Sequence, residues 1–374
     1  WATNPNNQPD TINYNDTTEA TVMAGMSGTL TIGGASPDFS TFSDAVDALM
    51  QFGVCGSVTF QVAAGTYNEE IDIGIVPGAT ATNTVTFDGG SGNAATRILT
   101  YLHSADGAVV MLDGADYLRF RNLTLQATGS NDGSAIWFTN DADYNIVEDC
   151  ILGASASATS SDAIPVVGSG SKTSNSSSGN TGSFNYIANN QIRGGYYGIY
   201  WRGSGSTDTT DNKGNEFIDN DVTDWYYYGF YSYYSNYLHI EGNRFFHRSG
   251  GTSSAYGLYI YYANNGPDIV GNLVQGQAYG IRMYYPNYSH GTYSKTEPRA
   301  TVYNNMFICS EEDMKGTVGV RVFGTHNVFV NNYLYRIEAP LELMWGEVDA
   351  PHIEEYQVFA KVKFEYRAAH DNLI

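Results

Sequence analysis

Short runs in which apolar and polar residues alternate at period two recur along the chain, as in Tyr237-Leu238-His239-Ile240 and Asn327-Val328-Phe329-Val330. That spacing predicts β-strands, whose successive side chains point to opposite faces. From Phe184 to Tyr335 two beats punctuate the runs. One is an Asn with an apolar residue two places on, at Asn190-Gln191-Ile192, Asn220-Asp221-Val222, Asn243-Arg244-Phe245, Asn272-Leu273-Val274, Asn305-Met306-Phe307 and Asn332-Tyr333-Leu334. The other is a Gly followed by an apolar residue, at Gly198-Ile199, Gly229-Phe230, Gly257-Leu258, Gly280-Ile281 and Gly319-Val320.

The Asn beat returns after 30, 23, 29, 33 and 27 residues. A period in this range marks a stacked solenoid, in which no repeat can bury its apolar side alone. Helical-pair solenoids keep a nearly fixed repeat length, whereas a coil of strands lets its corner loops vary. The expected fold is therefore all-β: a right-handed, single-stranded parallel β-helix. Asn suits a corner because it tolerates the left-handed conformation and its amide can bond the equivalent Asn one coil away. The glycines are expected to do the same steric job at another corner.

Taken in order, residues 1–27 read as a polar arm and Gly28–Ile32 as a strand. A short capping helix is expected at about 41–51, with Ser40 as N-cap and Phe42, Ala45, Val46 and Leu49 on one face. Such a helix would cover the open first coil. Val58–Val62 reads as a strand, Gly65-Thr66-Tyr67 as a turn and Ile71-Asp72-Ile73 as a strand. The β-helix is expected over 28–335, with residues 153–183, rich in Ser, Gly and Thr, as a long loop that is either a functional flap or mobile. Beyond Tyr335 the composition shifts: 12 of the 39 residues from Arg336 to Ile374 are charged. Tyr356, Val358, Ala360, Val362, Phe364 and Tyr366 alternate with mostly polar neighbours, so 336–374 reads as a distinct C-terminal cap or strand segment.

Composition narrows the function classes. Lys and Arg number 18 against 39 Asp and Glu, a formal net charge of -21. That balance opposes nucleic acid and anionic membrane surfaces as partners. No run of about 18 apolar residues predicts a membrane-inserted helix. Cys55, Cys150 and Cys309 have no metal-ligand spacing; two could pair in an oxidising compartment, or all three could be buried thiols. The opening Trp1-Ala2-Thr3-Asn4-Pro5 reads as a processed mature end, which implies a secreted, extracellular protein.

Pro37-Asp38-Phe39, Phe42, Ala45-Val46, Val58-Thr59-Phe60 and Val62-Ala63-Ala64-Gly65-Thr66-Tyr67-Asn68-Glu69 together resemble the opening of the pectin-lyase-like β-helix superfamily. The nearest likeness is to pectin methylesterases and to secreted β-helix proteins of Bacteroidetes-type bacteria. It covers about residues 28–75 and continues more loosely through Tyr117–Leu125. It implies the same fold. For a methylesterase it also implies an acid–base Asp and a nucleophilic Asp beside Gln and Arg; here Ser134 stands where the Gln should be, and no Asp-Phe-Ile-Phe-Gly-like string follows. The Asp-Asp pair and Arg-Ile-Lys string of polygalacturonases are missing too, although Ser289-His290-Gly291 resembles their Gly-His-Gly. A lyase needs a basic proton acceptor, and no matching Arg-Pro motif is present. Asp10-Thr11-Ile12, Asp16-Thr17-Thr18 and Asp208-Thr209-Thr210 resemble bacterial O-glycosylation triplets.

The candidate catalytic acids are Asp219 and Asp221, which share a face at period two, with Asp224 nearby and Glu241 one coil on. Hydrolysis of a glycosidic bond would need such paired carboxylates. Asp208, Asp211 and Glu216 lie in an oxygen-rich stretch that could hold calcium, although its spacing does not match an EF-hand loop. The strongest signal is aromatic. Of 30 tyrosines, 23 lie between Phe184 and Tyr335, beside the Gly-apolar beat. They should form ladders along one face. The ligand-contacting set expected from them is Tyr197, Trp201, Trp225, Tyr227, Tyr231, Tyr233, Tyr259, Tyr261 and Tyr284.

The expectation is a secreted, non-catalytic cell-surface protein, an adhesin or structural subunit that contacts glycan or a surface protein through this tyrosine-rich face, with no cofactor beyond a possible calcium. Two alternatives stay open. One is a polysaccharide hydrolase or lyase of the pectin-lyase-like class, using Asp219, Asp221 and Glu241. The other is a self-assembling filament subunit, a homo-oligomer or polymer in which the N-terminal arm or the Tyr356–Tyr366 strand adds to a neighbour's open edge.

Overall fold

The computed structural model describes residues 24–204, 212–263, 266–275, 279–284 and 300–307, and elsewhere only the backbone of strands at 264, 276, 288–289, 292–293, 308–309, 318–323, 328–335, 339–343 and 352–357. Apart from the short antiparallel pair Tyr288–Ser289 and Thr292–Tyr293, the strands pair in parallel, each with its counterpart about one coil away, and form three sheets around one core. The fold is a parallel β-helix.

The first sheet runs from Met26–Ile32 through strands such as Leu118–Arg121, Tyr186–Ala188 and His239–Glu241. The second holds Thr124–Ala127, Gln191–Arg193, Asp221–Trp225 and Arg244–His247. Two residues at a sharp corner separate first from second. The third holds Ile71–Ile73, Ala108–Asp113, Asp132–Thr139, Tyr197–Arg202, Tyr228–Asn236, Tyr256–Asn264 and Tyr279–Tyr284. Because side chains alternate, one apolar residue per strand repeats inward at the same register. Phe60, Phe87 and Phe120 stack in the first sheet with centroids 4.9 and 5.1 Å apart. Val147, Ile187, Phe217, Ile240 and Ile269 continue that file.

The Asn beat is a ladder, as expected. Asn190, Asn220, Asn243, Asn272 and Asn305 are enclosed at the corner between first and second sheets. Each Asn Oδ1 accepts from the backbone N–H and the Nδ2 of the Asn one coil before, at 2.8–3.1 Å. Each Nδ2 also donates to a carbonyl, as Asn243 does to Phe217 O at 2.7 Å. The ladder begins at Cys150, whose N–H donates to Asn190 Oδ1 at 2.9 Å. The left-handed residue is the one before each ladder Asn: Asn189, Asp219, Gly242, Gly271 and Asn304. The ladder residues were expected to take that conformation themselves. Instead their side chains must point inward, and the preceding residue makes the bend.

The Gly beat also has a different cause from the expected one. Gly198, Gly229 and Gly257 do not have positive φ. A Cβ on each would stand 2.7, 2.6 and 2.5 Å from the carbonyl oxygen of the next glycine in the file, Gly229, Gly257 and Gly280. The file is glycine because successive coils approach there backbone to backbone.

The capping helix spans Phe42–Phe52, and Thr41 rather than Ser40 is the N-cap, accepting from Asp44 N–H at 3.0 Å. The Glu69 carboxylate accepts from Phe42 and Ser43 N–H, completing that end. Phe42, Ala45, Val46 and Leu49 are buried on the first coil as expected. Gly65-Thr66-Tyr67, expected as a turn, lies in the second-sheet strand Gly65–Asn68, which pairs with Arg97–Thr100. The stretch 153–183 is not one loop. Val166–Gly168 within it is a strand of the third sheet. Of the expected N-terminal arm, residues 1–23 lie outside the described residues, and the first strand already begins at Met26. Parallel pairing continues past Tyr335, through Ala339–Leu343 and His352–Gln357, while the rest of the expected Tyr356–Tyr366 strand lies outside the described residues.

Candidate functional site

Four consecutive third-sheet strands, Tyr197–Arg202, Tyr228–Asn236, Tyr256–Asn264 and Tyr279–Tyr284, stack in register. Ile199, Phe230, Leu258 and Ile281 face inward and are enclosed. Three other files line the outside: two by alternation, and one, just before the glycine, that shares the inward file's parity yet packs against them, as Tyr197 does on Tyr200 with centroids 4.8 Å apart. The first is Tyr197, Tyr228, Tyr256 and Tyr279; the second is Tyr200, Tyr231, Tyr259 and Arg282; the third is Arg202, Tyr233, Tyr261 and Tyr284. These twelve outward positions hold ten tyrosines, two arginines and no carboxylate.

Within the files the rings stack along the solenoid axis. Tyr200 and Tyr231 lie 4.6 Å apart at 10°, Tyr231 and Tyr259 5.5 Å apart at 6°, and Tyr256 and Tyr279 4.6 Å apart at 10°. Rings packed this way use their faces on one another, so the half-buried rings turn their edges to solvent, while Tyr200 and Tyr256 are buried and their hydroxyls accept from Arg202 and Arg282. Arg282 lies 4.4–5.5 Å from the centroids of Tyr256, Tyr259, Tyr279 and Tyr284, and Arg202 lies 4.5 Å above Tyr233. Cation–π attraction holds both arginines flat in the face. Burial pushes the Tyr197, Tyr228 and Tyr231 phenols far above their ordinary range, and Tyr259 up to about 12. These four hydroxyls are therefore neutral at any physiological pH.

The structure thus brings together Tyr197, Tyr231, Tyr233, Tyr259, Tyr261 and Tyr284 from the expected set, with Tyr227 at the margin, 4.4 Å from Tyr228. It removes Trp201 and Trp225. Both are 0% exposed. Trp201 points inward and occupies the space left by Gly168, whose added Cβ would lie 2.6 Å from the indole. Trp225 is turned inward by a register shift at Asp224, which has φ 62°. The expected set lacked Tyr200, Arg202, Tyr228, Tyr256, Tyr279 and Arg282. The signal for all of them was position: each outward file lies one residue before, two after or four after a glycine of the Gly beat.

The first of the two loops flanking Val166–Gly168 covers the same face on earlier coils. Ile164 packs there with Met111, Trp137, Val167 and Tyr200. The second reaches further back: Lys172 bonds Asp113 and Asp72 at 2.9 and 3.3 Å, and Ser178 Oγ accepts from Arg202 Nε at 2.9 Å. The open tyrosine face begins where these loops end.

The candidate acids do not converge. Asp221 is outward on the second sheet, 3.9 Å from Arg244, whereas Glu241 is outward on the first sheet and bonded to His239 at 2.8 Å. Asp219 sits at the corner between them with its carboxylate over Gly242. Glu216 is exposed beside His239 in register, while Asp208 and Asp211 lie outside the described residues, as does the side chain of His290. Ser134 is buried. Cys55 is exposed, not enclosed as the buried-thiol reading expected, and Cys150 is buried with its thiol pushed up to about 12; both are free.

Residues 152–325, just under half of the chain, match a protein family described as periplasmic copper-binding protein (NosD). Among the described residues no group of three His, Cys, Asp or Glu side chains could hold a metal ion, so the described residues do not fit copper. No curated protein matches the chain. Among solved structures it is similar to rice weevil pectin methyl esterase, with 13% identity, 79% of this chain and 80% of that one covered, and a TM-score of 0.42. Alginate lyase from Paenibacillus sp. str. FPU-7 gives 13%, 86% and 99%, and 0.42. The surface adhesin PfbA of Streptococcus pneumoniae gives 14%, 83% and 92%, and 0.41. None of these transfers an activity.

Proposed function

We propose that this protein works outside the cytoplasm as a non-catalytic binding protein that holds a glycan along the outer face of its third sheet. The observation that carries the reading is the array of ten tyrosines and two arginines, free of carboxylates, in a chain with 39 acidic residues. A sugar chain laid across it would meet a regular set of neutral phenol donors, ring edges for its C–H faces, and two guanidinium groups. The partial match to a family described as periplasmic supports a site of action beyond the inner membrane. The separation of Asp219, Asp221 and Glu241 supports binding rather than hydrolysis.

Glycan microarray screening followed by titration of the best ligand tests this. Replacing Tyr231 and Tyr259 together by Phe removes two hydroxyls and keeps the stack. Affinity should fall about tenfold, since each lost hydrogen bond contributes about 0.5–1.5 kcal/mol. Asp221→Asn should bind like the parent protein. Glycan binding unchanged in the double variant, or binding of protein ligands alone, would overturn the reading.

A further inference from the structure

At the end of the tyrosine face the chain departs from strand geometry in a way that places four phenols together. Neighbouring residues in a strand point to opposite faces. Tyr234 and Tyr262 break that rule: their φ values are 52° and 53°, a left-handed conformation that is a genuine outlier for a bulky side chain. The turn brings each beside the tyrosine before it. Ring centroids lie 4.3 Å apart for Tyr233 and Tyr234 and 4.4 Å for Tyr261 and Tyr262. The coils then stack pair on pair, with Tyr233 5.1 Å from Tyr261, Tyr234 4.9 Å from Tyr262 at 5°, and Tyr233 6.0 Å from Tyr262. All four are half-buried, so one side of the block meets solvent. The same left-handed outlier recurs at the same place in two coils.

We infer that this block is a site of oxidative cross-linking, at which a tyrosine of one coil becomes carbon–carbon bonded to a tyrosine of the next. The co-reactant is a peroxide used by a haem peroxidase, the class of enzyme that takes one electron at a time from phenols. Each of two tyrosines loses one electron and its phenolic proton. The radicals join ortho carbon to ortho carbon, and both rings return their ortho hydrogens to the phenol oxygens as they regain aromaticity. Hydrogen peroxide accepts the two electrons and two protons and leaves as two waters. The two partners are already packed together in the folded chain, so coupling does not await a second molecule. A radical formed elsewhere on the face can also reach the block, because phenols 4.4–6.5 Å apart form a continuous array from Tyr197 to Tyr284. The bond would staple two coils through their side chains.

The test treats the purified chain, dilute and folded, with horseradish peroxidase and stoichiometric hydrogen peroxide. Dityrosine fluorescence is followed, and the products are examined by denaturing electrophoresis and peptide mass mapping. The expected product is a monomer lighter by two hydrogens, formed at a rate independent of protein concentration, with the bond mapped between Tyr233 or Tyr234 and Tyr261 or Tyr262. Replacing Tyr233, Tyr234, Tyr261 and Tyr262 together by Phe should lower the yield at least fivefold while circular dichroism stays unchanged. Covalent dimers as the main product, a bond mapped outside the block, or an undiminished yield in the fourfold variant would each overturn the inference. None of these outcomes depends on glycan binding.

Discussion

Asp143 shows how one side chain responds to the corner it occupies. It is half-buried, its carboxylate accepts from Ser183 N–H at 2.6 Å, and Asp116 accepts from its own N–H at 2.8 Å. Burial, with Asp141 and Asp116 nearby, raises it from 3.8 to about 7. A carboxyl with a raised folded value keeps its proton in the folded state while the unfolded chain has lost it. Its contribution to stability therefore declines as pH rises from about 4 to about 7, and the decline is complete above that. Asp106 and Asp116 are raised by burial as well and act in the same sense. Thermal unfolding should give a higher midpoint at pH 5 than at pH 8. Asp143→Asn, which can still accept from Ser183, should reduce that difference by on the order of 1 kcal/mol after allowance for solvent screening. An identical pH profile for the variant would count against this assignment.

At the scale of the coil, two files carry most of the repeat's specificity. Asn243 accepts from Asn220 twice and donates to Phe217 O and Asn272 Oδ1, all out of water. Asn243→Ala should cost about 3 kcal/mol in urea unfolding, because it strands several buried partners at once. Gly229→Ala should cost about as much for a different reason: its Cβ would press on Gly257 O, a backbone atom that cannot move without moving its coil. By contrast, Lys172→Ala should cost less than about 1 kcal/mol, since the lysine and Asp72 are well exposed. A large loss there would mean that the loop is held through its ion pairs rather than through Ile164.

For the whole molecule, the ends decide between a free solenoid and a polymer. At the N-terminal end the helix Phe42–Phe52 covers the core, and Phe39 bonds back to Thr31 and Gly33 along the first strand. The filament reading would have to displace both. Replacing Phe42 and Leu49 by Ser should uncover that end, and light scattering should then report a rise in mass that the parent chain does not show. If the variant stays at the parent's mass, the cap does not guard against association.

Much of this was legible in the chain. The alternation and the Asn and Gly beats determined a parallel β-helix, its coil length, its capping helix and the presence of tyrosine ladders, because these depend on local periodicity and on a repeat stacking on its own copy. Which rings face solvent was not legible. Trp201 and Trp225 sit in the same aromatic zone as the tyrosines, yet one fills the space above Gly168 and the other is turned by a single left-handed residue at Asp224. Likewise Asp221 and Glu241 are near in sequence but lie on different sheets, because the left-handed corner at Asp219 and Gly242 intervenes. The carboxylate-free character of the face depends on register between strands roughly a coil apart. Period and composition are properties of the chain; bulges, missing side chains one coil away and the direction of a corner belong to the stack, and only the tertiary structure decided them.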